Sequence, residues 1–185
     1  MRKNFGVKSW FYPQPVLIIA TYDENGNPDA MNAAWGGLYD GNKVELCLSA
    51  GHKTTKNIQA TGAFTVSFAD AANLVASDYV GLASANTEPK KMEKSGFHLT
   101  KSQFVNAPLI DELPVAMECK LVKINEDGNV IGEIVNVSAD ESVLGEDGNI
   151  DFSKFRPISF EPVHNGYHVL GERVGNAFQD GAALK

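Results

Sequence analysis

The organisation of this chain is best worked out from KVELCLSAGHKTTKNI, residues 43–58. Apolar and polar residues alternate through its first half, which is typical of a strand with one buried face. Gly51 lacks a Cβ, and we expect it to allow a sharp turn with positive φ after that strand. Thr54 or Thr55 is expected to cap a short helix that ends at Gly62. The stretch therefore predicts a strand, a tight turn and a helix.

The start of this predicted helix has the composition of a small anion site. The first backbone N–H groups of a helix have no partner within it, and the helix dipole is positive at that end. Lys53 and the hydroxyls of Thr54 and Thr55 add a charge and two donors, which suits an anion of phosphate size. The same residues also fit an ordinary capped helix with a solvated lysine. A nucleotide-binding P-loop is excluded, because His52 stands where that motif needs a glycine.

The composition is that of a globular chain with an acidic balance. The sequence has 185 residues, of which 43% are hydrophobic and 21% charged, and this suits one domain spanning residues 1–185. The net charge of −7 argues against a general nucleic-acid-binding surface and against an anionic membrane face. The longest apolar run, residues 16–20, is too short to cross a bilayer, and no signal peptide is evident. We therefore expect a cytoplasmic protein.

The cysteines and histidines predict no metal site. Cys47 and Cys119 fall in two predicted strands that are far apart, and a buried thiol is the default for such residues. The four histidines form no HExxH or paired-ligand pattern. No catalytic triad or carboxylate pair is evident either, so no residue is predicted to be catalytic.

Turn residues and alternation elsewhere predict an antiparallel β protein. The Asn25-Gly26 pair predicts a hairpin turn between strands at 16–21 and 28–35, with Gly36-Gly37 ending the second strand. Further strands are predicted at 44–49, 64–68, 115–124, 130–138 and 158–160, and helices at 71–82 and 88–94. Six or seven strands remove their exposed edges most simply by closing. We predict a mainly β fold, a closed antiparallel barrel with Greek-key-like order and a few short helices.

Several segments, taken in order, resemble the flavin reductase-like family of FMN-binding split barrels, and within it the flavoredoxin branch. The resemblance is carried by MNAAW at 31–35, CLS at 47–49, HKTTKNI at 52–58, TGAFTV at 61–66, DYVGLAS at 78–84 and LGERVG at 170–175. It covers nearly the whole chain. It implies a single FMN-binding split-barrel domain and a homodimer with FMN near the subunit interface.

The cofactor-binding residues that the resemblance implies are Asn32, Ala33, Ala34, Trp35, Ser49, Lys53, Thr54, Thr55 and Ser84. The two alanines would let a flavin ring approach the backbone closely, although tight packing of a neighbouring strand also explains their size. Trp35 fits stacking on the flavin, a core position or a dimer interface. Ser49 fits a flavin contact or a plain turn serine. The roles of His52, Asn86 and Lys91 stay open.

The implied activity is that of an FMN-dependent oxidoreductase. Electrons would pass from NAD(P)H or a protein donor, through bound FMN, to a flavin, an iron complex or a protein acceptor. The flavin carries this chemistry itself, which agrees with the lack of a predicted catalytic residue. Two alternatives stay open: a non-catalytic FMN electron carrier, and a related split barrel that binds another phosphate-bearing cofactor such as pyridoxal phosphate.

Overall fold

The computed structural model describes residues 1–185, which form twelve strands, three α-helices and two short 3-10 helices. The strands are β1 (Gln14–Pro15), β2 (Leu17–Tyr22), β3 (Pro28–Ala33), β4 (Gly36–Asp40), β5 (Lys43–Leu46), β6 (Ala63–Phe68), β7 (Leu99–Lys101), β8 (Pro108–Ile110), β9 (Val115–Ile124), β10 (Val130–Ala139), β11 (Ile158–Glu161) and β12 (Gly166–Val169). The helices are α1 (Lys53–Thr61), α2 (Leu74–Leu82) and α3 (Lys91–Ser95), and the 3-10 helices are Glu141–Val143 and Asp180–Leu184. None of these helices has the length and hydropathy needed to span a membrane.

Seven strands form the main sheet, which is antiparallel and has the order β3-β2-β6-β9-β10-β5-β4. Its two edge strands, β3 and β4, are consecutive in the chain and are joined by only Ala34 and Trp35. The sheet therefore curls into a half-barrel whose edges approach each other at this two-residue link, here called the β3–β4 link. Two smaller sheets have the orders β1-β11-β12 and β7-β8.

The barrel is open between β3 and β4, so the predicted closed barrel is wrong, although the mainly β class with few helices is confirmed. The two edge strands form no ladder with each other, since β3 pairs with β2 and β4 with β5. Helices α1, α2 and α3 all pack against β3. No further strand pairs with β3, so the sheet ends at this strand and does not close.

Strand β2 is apolar along most of its length because both of its faces are buried. Ile19 packs in one hydrophobic cluster with Ile58 of α1. Its neighbour Ile18 packs in a second cluster with Val80 of α2. The two helices therefore pack on opposite faces of the same strand, and β2 connects the packing of α1 with that of α2.

Two predicted turns differ from the structure in detail. Gly36 and Gly37 begin β4 rather than ending a strand, because they pair with β5. His52, and not either threonine, is the N-cap residue of α1, while Gly62 ends that helix with φ 71 as predicted. Gly51 is not among the glycines with positive φ. The turn before α1 therefore does not depend on a left-handed glycine.

Candidate functional site

The start of α1 presents three backbone N–H groups that have no acceptor in the protein. These belong to Lys53, Thr54 and Thr55, whereas the N–H of Lys56 already donates to the carbonyl of His52 at 3.2 Å. The His52 side chain makes no capping hydrogen bond, and the first turn contains no acidic residue. Three free donors at the positive end of a helix suit a bound anion.

The hydroxyls of Thr54 and Thr55, which the sequence predicts to help bind an anion, donate hydrogen bonds to acceptors within the protein. Thr54 Oγ1 donates to Asp29 Oδ2 at 2.7 Å, and Thr55 Oγ1 donates to the carbonyl of Ser49 at 2.9 Å. Both threonine side chains are buried. They hold the turn in place, so the groups these two residues leave for a ligand are their backbone N–H donors.

The side chain of Lys53 lies beside the start of α1, where it forms an ion pair with Asp23. Its Nζ lies 3.3 Å from Asp23 Oδ2, and its side chain is 31% exposed. Asp23 sits in the β2–β3 turn and accepts further hydrogen bonds from the N–H groups of Asn25 and Asn27. Desolvation raises the pKa of Asp23, but the bonds from Asn27, Asn25 and Lys53 together outweigh it and lower the pKa to about 2. The lysine is therefore held beside the helix start by a carboxylate that is charged at neutral pH.

The turn at residues 84–88 lies against the start of α1. Asn86 Nδ2 donates to the carbonyl of Gly51 at 3.1 Å, and the Asn86 N–H donates to Ser84 Oγ at 3.3 Å. Ser49 and Ser84 are both exposed. The structure thus brings Ser49, Lys53 and Ser84 to one surface, and it gives Asn86 the role of joining the two turns.

A buried ion pair lies behind this surface. Lys91 Nζ donates to Asp29 Oδ1 at 3.1 Å, while the other oxygen of Asp29 accepts from Thr54. The Lys91 and Asp29 side chains are only 3% and 2% exposed. Asp23 and Asp29 are not among the predicted site residues. The signal that could have indicated them is their placement on either side of the Asn25-Gly26 turn.

Ala34 and Trp35 line a cavity of about 410 Å³ beside the β3–β4 link. The cavity wall also includes Gly36 and Gly37. The Trp35 side chain is 57% exposed. This volume lies within the usual range for small-molecule sites. An indole ring next to glycine backbone suits a flat aromatic ligand, because a ring can stack on the indole and come close to the backbone.

Cys47 also lines this cavity, and its thiol is exposed. The prediction of a buried thiol is wrong here because β5 ends at Leu46 and Cys47 lies on the outward side of the alternation. Its N–H donates to the carbonyl of Trp35 at 2.8 Å, which ties the strand end to the β3–β4 link. Cys119 is buried as predicted, and desolvation together with the nearby Glu118 raises the pKa of its thiol to about 12.

Asn32 contacts α2 rather than either of these two places. Its Nδ2 donates to the carbonyl of Ser77 at 3.0 Å. A Cβ added to Gly81 would lie 2.9 Å from the Asn32 Cβ, so the absence of a side chain at this position allows α2 to approach β3 closely. Ala33 ends β3 and is half-buried. The side-chain amide of Asn32 is therefore bound to α2, whereas Ala33 lies next to the β3–β4 link.

Comparison with known protein families identifies the family to which this chain belongs. The family model described as a flavin reductase like domain matches residues 9–159. The chain belongs to the flavin reductase-like family. Within solved structures of this kind, flavoredoxin of Desulfovibrio vulgaris (Miyazaki F) is 35% identical, the match covers 98% of this chain and 100% of that one, and the TM-score is 0.93.

Two other solved structures extend the comparison of this flavin reductase-like protein. Flavoredoxin from Methanosarcina acetivorans is 26% identical, with 100% of both chains covered and a TM-score of 0.89. The 2-nitrobenzoate 2-nitroreductase NbaA of Pseudomonas fluorescens is 25% identical, with 90% of this chain and 85% of that one covered and a TM-score of 0.77. The flavin reductase-like fold is thus shared along nearly the whole chain, including the segments that form the candidate site.

Proposed function

We propose that the protein binds FMN and acts as an oxidoreductase of the flavin reductase or flavoredoxin type, with residues 1–185 forming one FMN-binding domain. The observation that carries this proposal is the start of α1, where three N–H groups without acceptors lie next to Lys53. A monophosphate would accept hydrogen bonds from all of them. Electrons would pass from NAD(P)H or a protein donor to a flavin, an iron complex or a protein acceptor.

The two ends of FMN would be held by different parts of the chain. The N–H groups of residues 53–55 and the Lys53 ammonium would bind the phosphate, with the exposed hydroxyls of Ser49 and Ser84 beside it. Ala34 and Trp35 would lie along the ring, next to Ala33 at the end of β3, with Trp35 as a stacking surface. Bound FMN supplies the hydride and electron-transfer chemistry, so the protein contributes position, stacking and charge.

The exposed apolar surface at β4 supports a homodimer with the flavin near the subunit interface. Leu38 is 75% exposed and Tyr39 is 49% exposed on this edge strand, and Trp35 adjoins them. An edge strand with large exposed apolar side chains is typical of a surface that a second chain covers. Sedimentation equilibrium should give a dimer for the wild type and a monomer for Leu38→Glu. A monomeric wild type would contradict the dimer.

The similarity to two flavoredoxins favours a second candidate, an FMN carrier that exchanges electrons with partner proteins and does not react with NAD(P)H. Anaerobic titration of the FMN-loaded protein with NADH and with NADPH separates the two candidates. Loss of the visible flavin absorbance with one nicotinamide supports the reductase and names its donor. An oxidised flavin with both nicotinamides supports the carrier.

The protein as purified, before any FMN is added, tests FMN binding itself. Protein that contains no flavin after purification and binds none when FMN is added would refute both candidates. Mass spectrometry of any ligand released on denaturation then distinguishes FMN from another phosphate-bearing cofactor such as pyridoxal phosphate.

A further inference from the structure

One carboxylate joins three elements directly behind the start of α1. Asp29 lies on β3, Thr54 is the second residue of α1, and Lys91 is the first residue of α3. Asp29 Oδ2 accepts from Thr54 Oγ1 at 2.7 Å, and Oδ1 accepts from Lys91 Nζ at 3.1 Å. All three side chains are almost completely buried. The first turn of α1, which carries the three free N–H groups, is therefore tied to the sheet and to α3 through Asp29.

Stability alone is a weak explanation for this arrangement. Burying an ion pair removes two charges from water, and an apolar pair of similar volume is often as stable or more stable. The neighbouring part of α1 shows that a neutral contact is sufficient to attach this helix, since Asn57 Nδ2 donates to Thr21 Oγ1 at 3.0 Å between equally buried side chains. The contact with a charged partner, between Thr54 and Asp29, occurs one turn earlier. It lies at the end of α1 that carries the three free N–H groups.

The pairing of charges also suits an anion. Asp29 alone would repel a negative ligand at the start of α1, and Lys91 cancels that charge from within the protein. Asp23 and Lys53 form an equivalent pair on the exposed side. The β2–β3 hairpin thus supplies two carboxylates, each neutralised by one lysine, so neither carboxylate opposes a phosphate.

We propose that Asp29 is a positioning residue for phosphate recognition. Through Thr54 it fixes the first turn of α1 so that the N–H groups of residues 53–55 converge on one anion, and Lys91 keeps the base of that turn neutral. This inference rests on the proposed binding of FMN. It predicts that loss of the contact between Asp29 and Thr54 weakens binding of the phosphate and leaves the affinity for the flavin ring unchanged.

The test compares FMN with riboflavin, which has the same ring and lacks the phosphate. Fluorescence titration gives both dissociation constants for the wild type, Thr54→Val, Thr54→Ser and Thr21→Val. Valine keeps the shape of threonine and removes the hydroxyl, whereas serine retains it. Thr21→Val is the matched control, because it removes the buried partner of Asn57 on the same helix. Thermal unfolding of each variant measures the purely structural cost.

For Thr54→Val we expect the preference for FMN over riboflavin to fall about tenfold, comparable to the loss of one charge-assisted hydrogen bond. Thr54→Ser and Thr21→Val should keep the wild-type preference. Thr21→Val should nevertheless lose about as much thermal stability as Thr54→Val. An unchanged preference in Thr54→Val would overturn the inference and leave the contact as a structural one.

A second variant answers the same question if Thr54→Val does not fold. Lys91→Gln keeps a donor for Asp29 and removes the positive charge, so the affinity for FMN should fall while that for riboflavin stays constant. Equal changes for the two ligands would overturn the inference. A wild type with no preference for FMN would instead refute phosphate binding and the proposed function, which is a different result from a preference that survives in both variants.

Discussion

Replacement of Lys53 by alanine should weaken FMN binding by an amount that follows from its surroundings. The Lys53 ammonium lies 3.3 Å from Asp23 Oδ2, and the side chain is 31% exposed. A charge-assisted hydrogen bond contributes about 1.5–3 kcal/mol. Because Asp23 shares the ammonium and solvent partly screens it, we expect the lower part of that range, about 1.5–2 kcal/mol. This corresponds to a rise of about 10–30-fold in the Kd for FMN.

The same substitution also leaves Asp23 without its lysine. The pKa of Asp23 is lowered to about 2, so its carboxylate stays charged and would repel the phosphate in Lys53→Ala. Adding Asp23→Asn removes that repulsion. The double variant should therefore bind FMN more tightly than Lys53→Ala alone and less tightly than the wild type.

Isothermal titration at one fixed salt concentration measures these affinities. Lys56→Ala is the matched control, since Lys56 is exposed on the same helix and carries the same charge. Screening by salt should keep its effect within about twofold. Riboflavin should bind all the variants equally. An unchanged FMN affinity in Lys53→Ala would remove Lys53 from the site, and an equal loss in Lys56→Ala would show that only net charge matters.

Two further predictions concern stability. Gly81→Ala should destabilise the protein by about 1–3 kcal/mol, because the new Cβ would lie 2.9 Å from the Asn32 Cβ. Gly37→Ala has open space and serves as the control, so equal urea midpoints would contradict close packing of α2 on β3. The folded pKa of Asp23, about 2, is below its unfolded value near 3.9, so the unfolded state binds more protons between these values. Stability from this group is therefore present above about pH 4 and lost as the pH falls towards 2, and Asp23→Asn should flatten the Tm profile there. An identical acid slope in that variant would contradict the assignment.

Local patterns were sufficient to predict much of the fold. The Asn25-Gly26 pair marks the turn between β2 and β3, and alternating residues mark the hairpin of β9 and β10. The open barrel could not be predicted in this way, because it depends on which strands pair at the two edges, where β3 pairs with β2 and β4 pairs with β5. A strand pattern states which residues face inward, and it contains no information on which edges meet.

The candidate site shows the same division between local and distant information. The free donors at the start of α1 follow from the helix itself, and the sequence predicts them. The hydroxyl of Thr54 donates to Asp29, which lies on another strand, so its use inside the protein is not visible locally. The exposure of Cys47 could have been predicted, since alternation places it on the face opposite Leu46 and Leu48.

A crystal structure of the protein grown with FMN would test the central proposal most directly. We predict that the phosphate lies within hydrogen-bond distance, about 2.7–3.2 Å, of the backbone nitrogens of residues 53–55. The flavin ring should then lie against the β3–β4 link beside Trp35. FMN bound with its phosphate elsewhere, and with these three N–H groups left to solvent, would contradict the account.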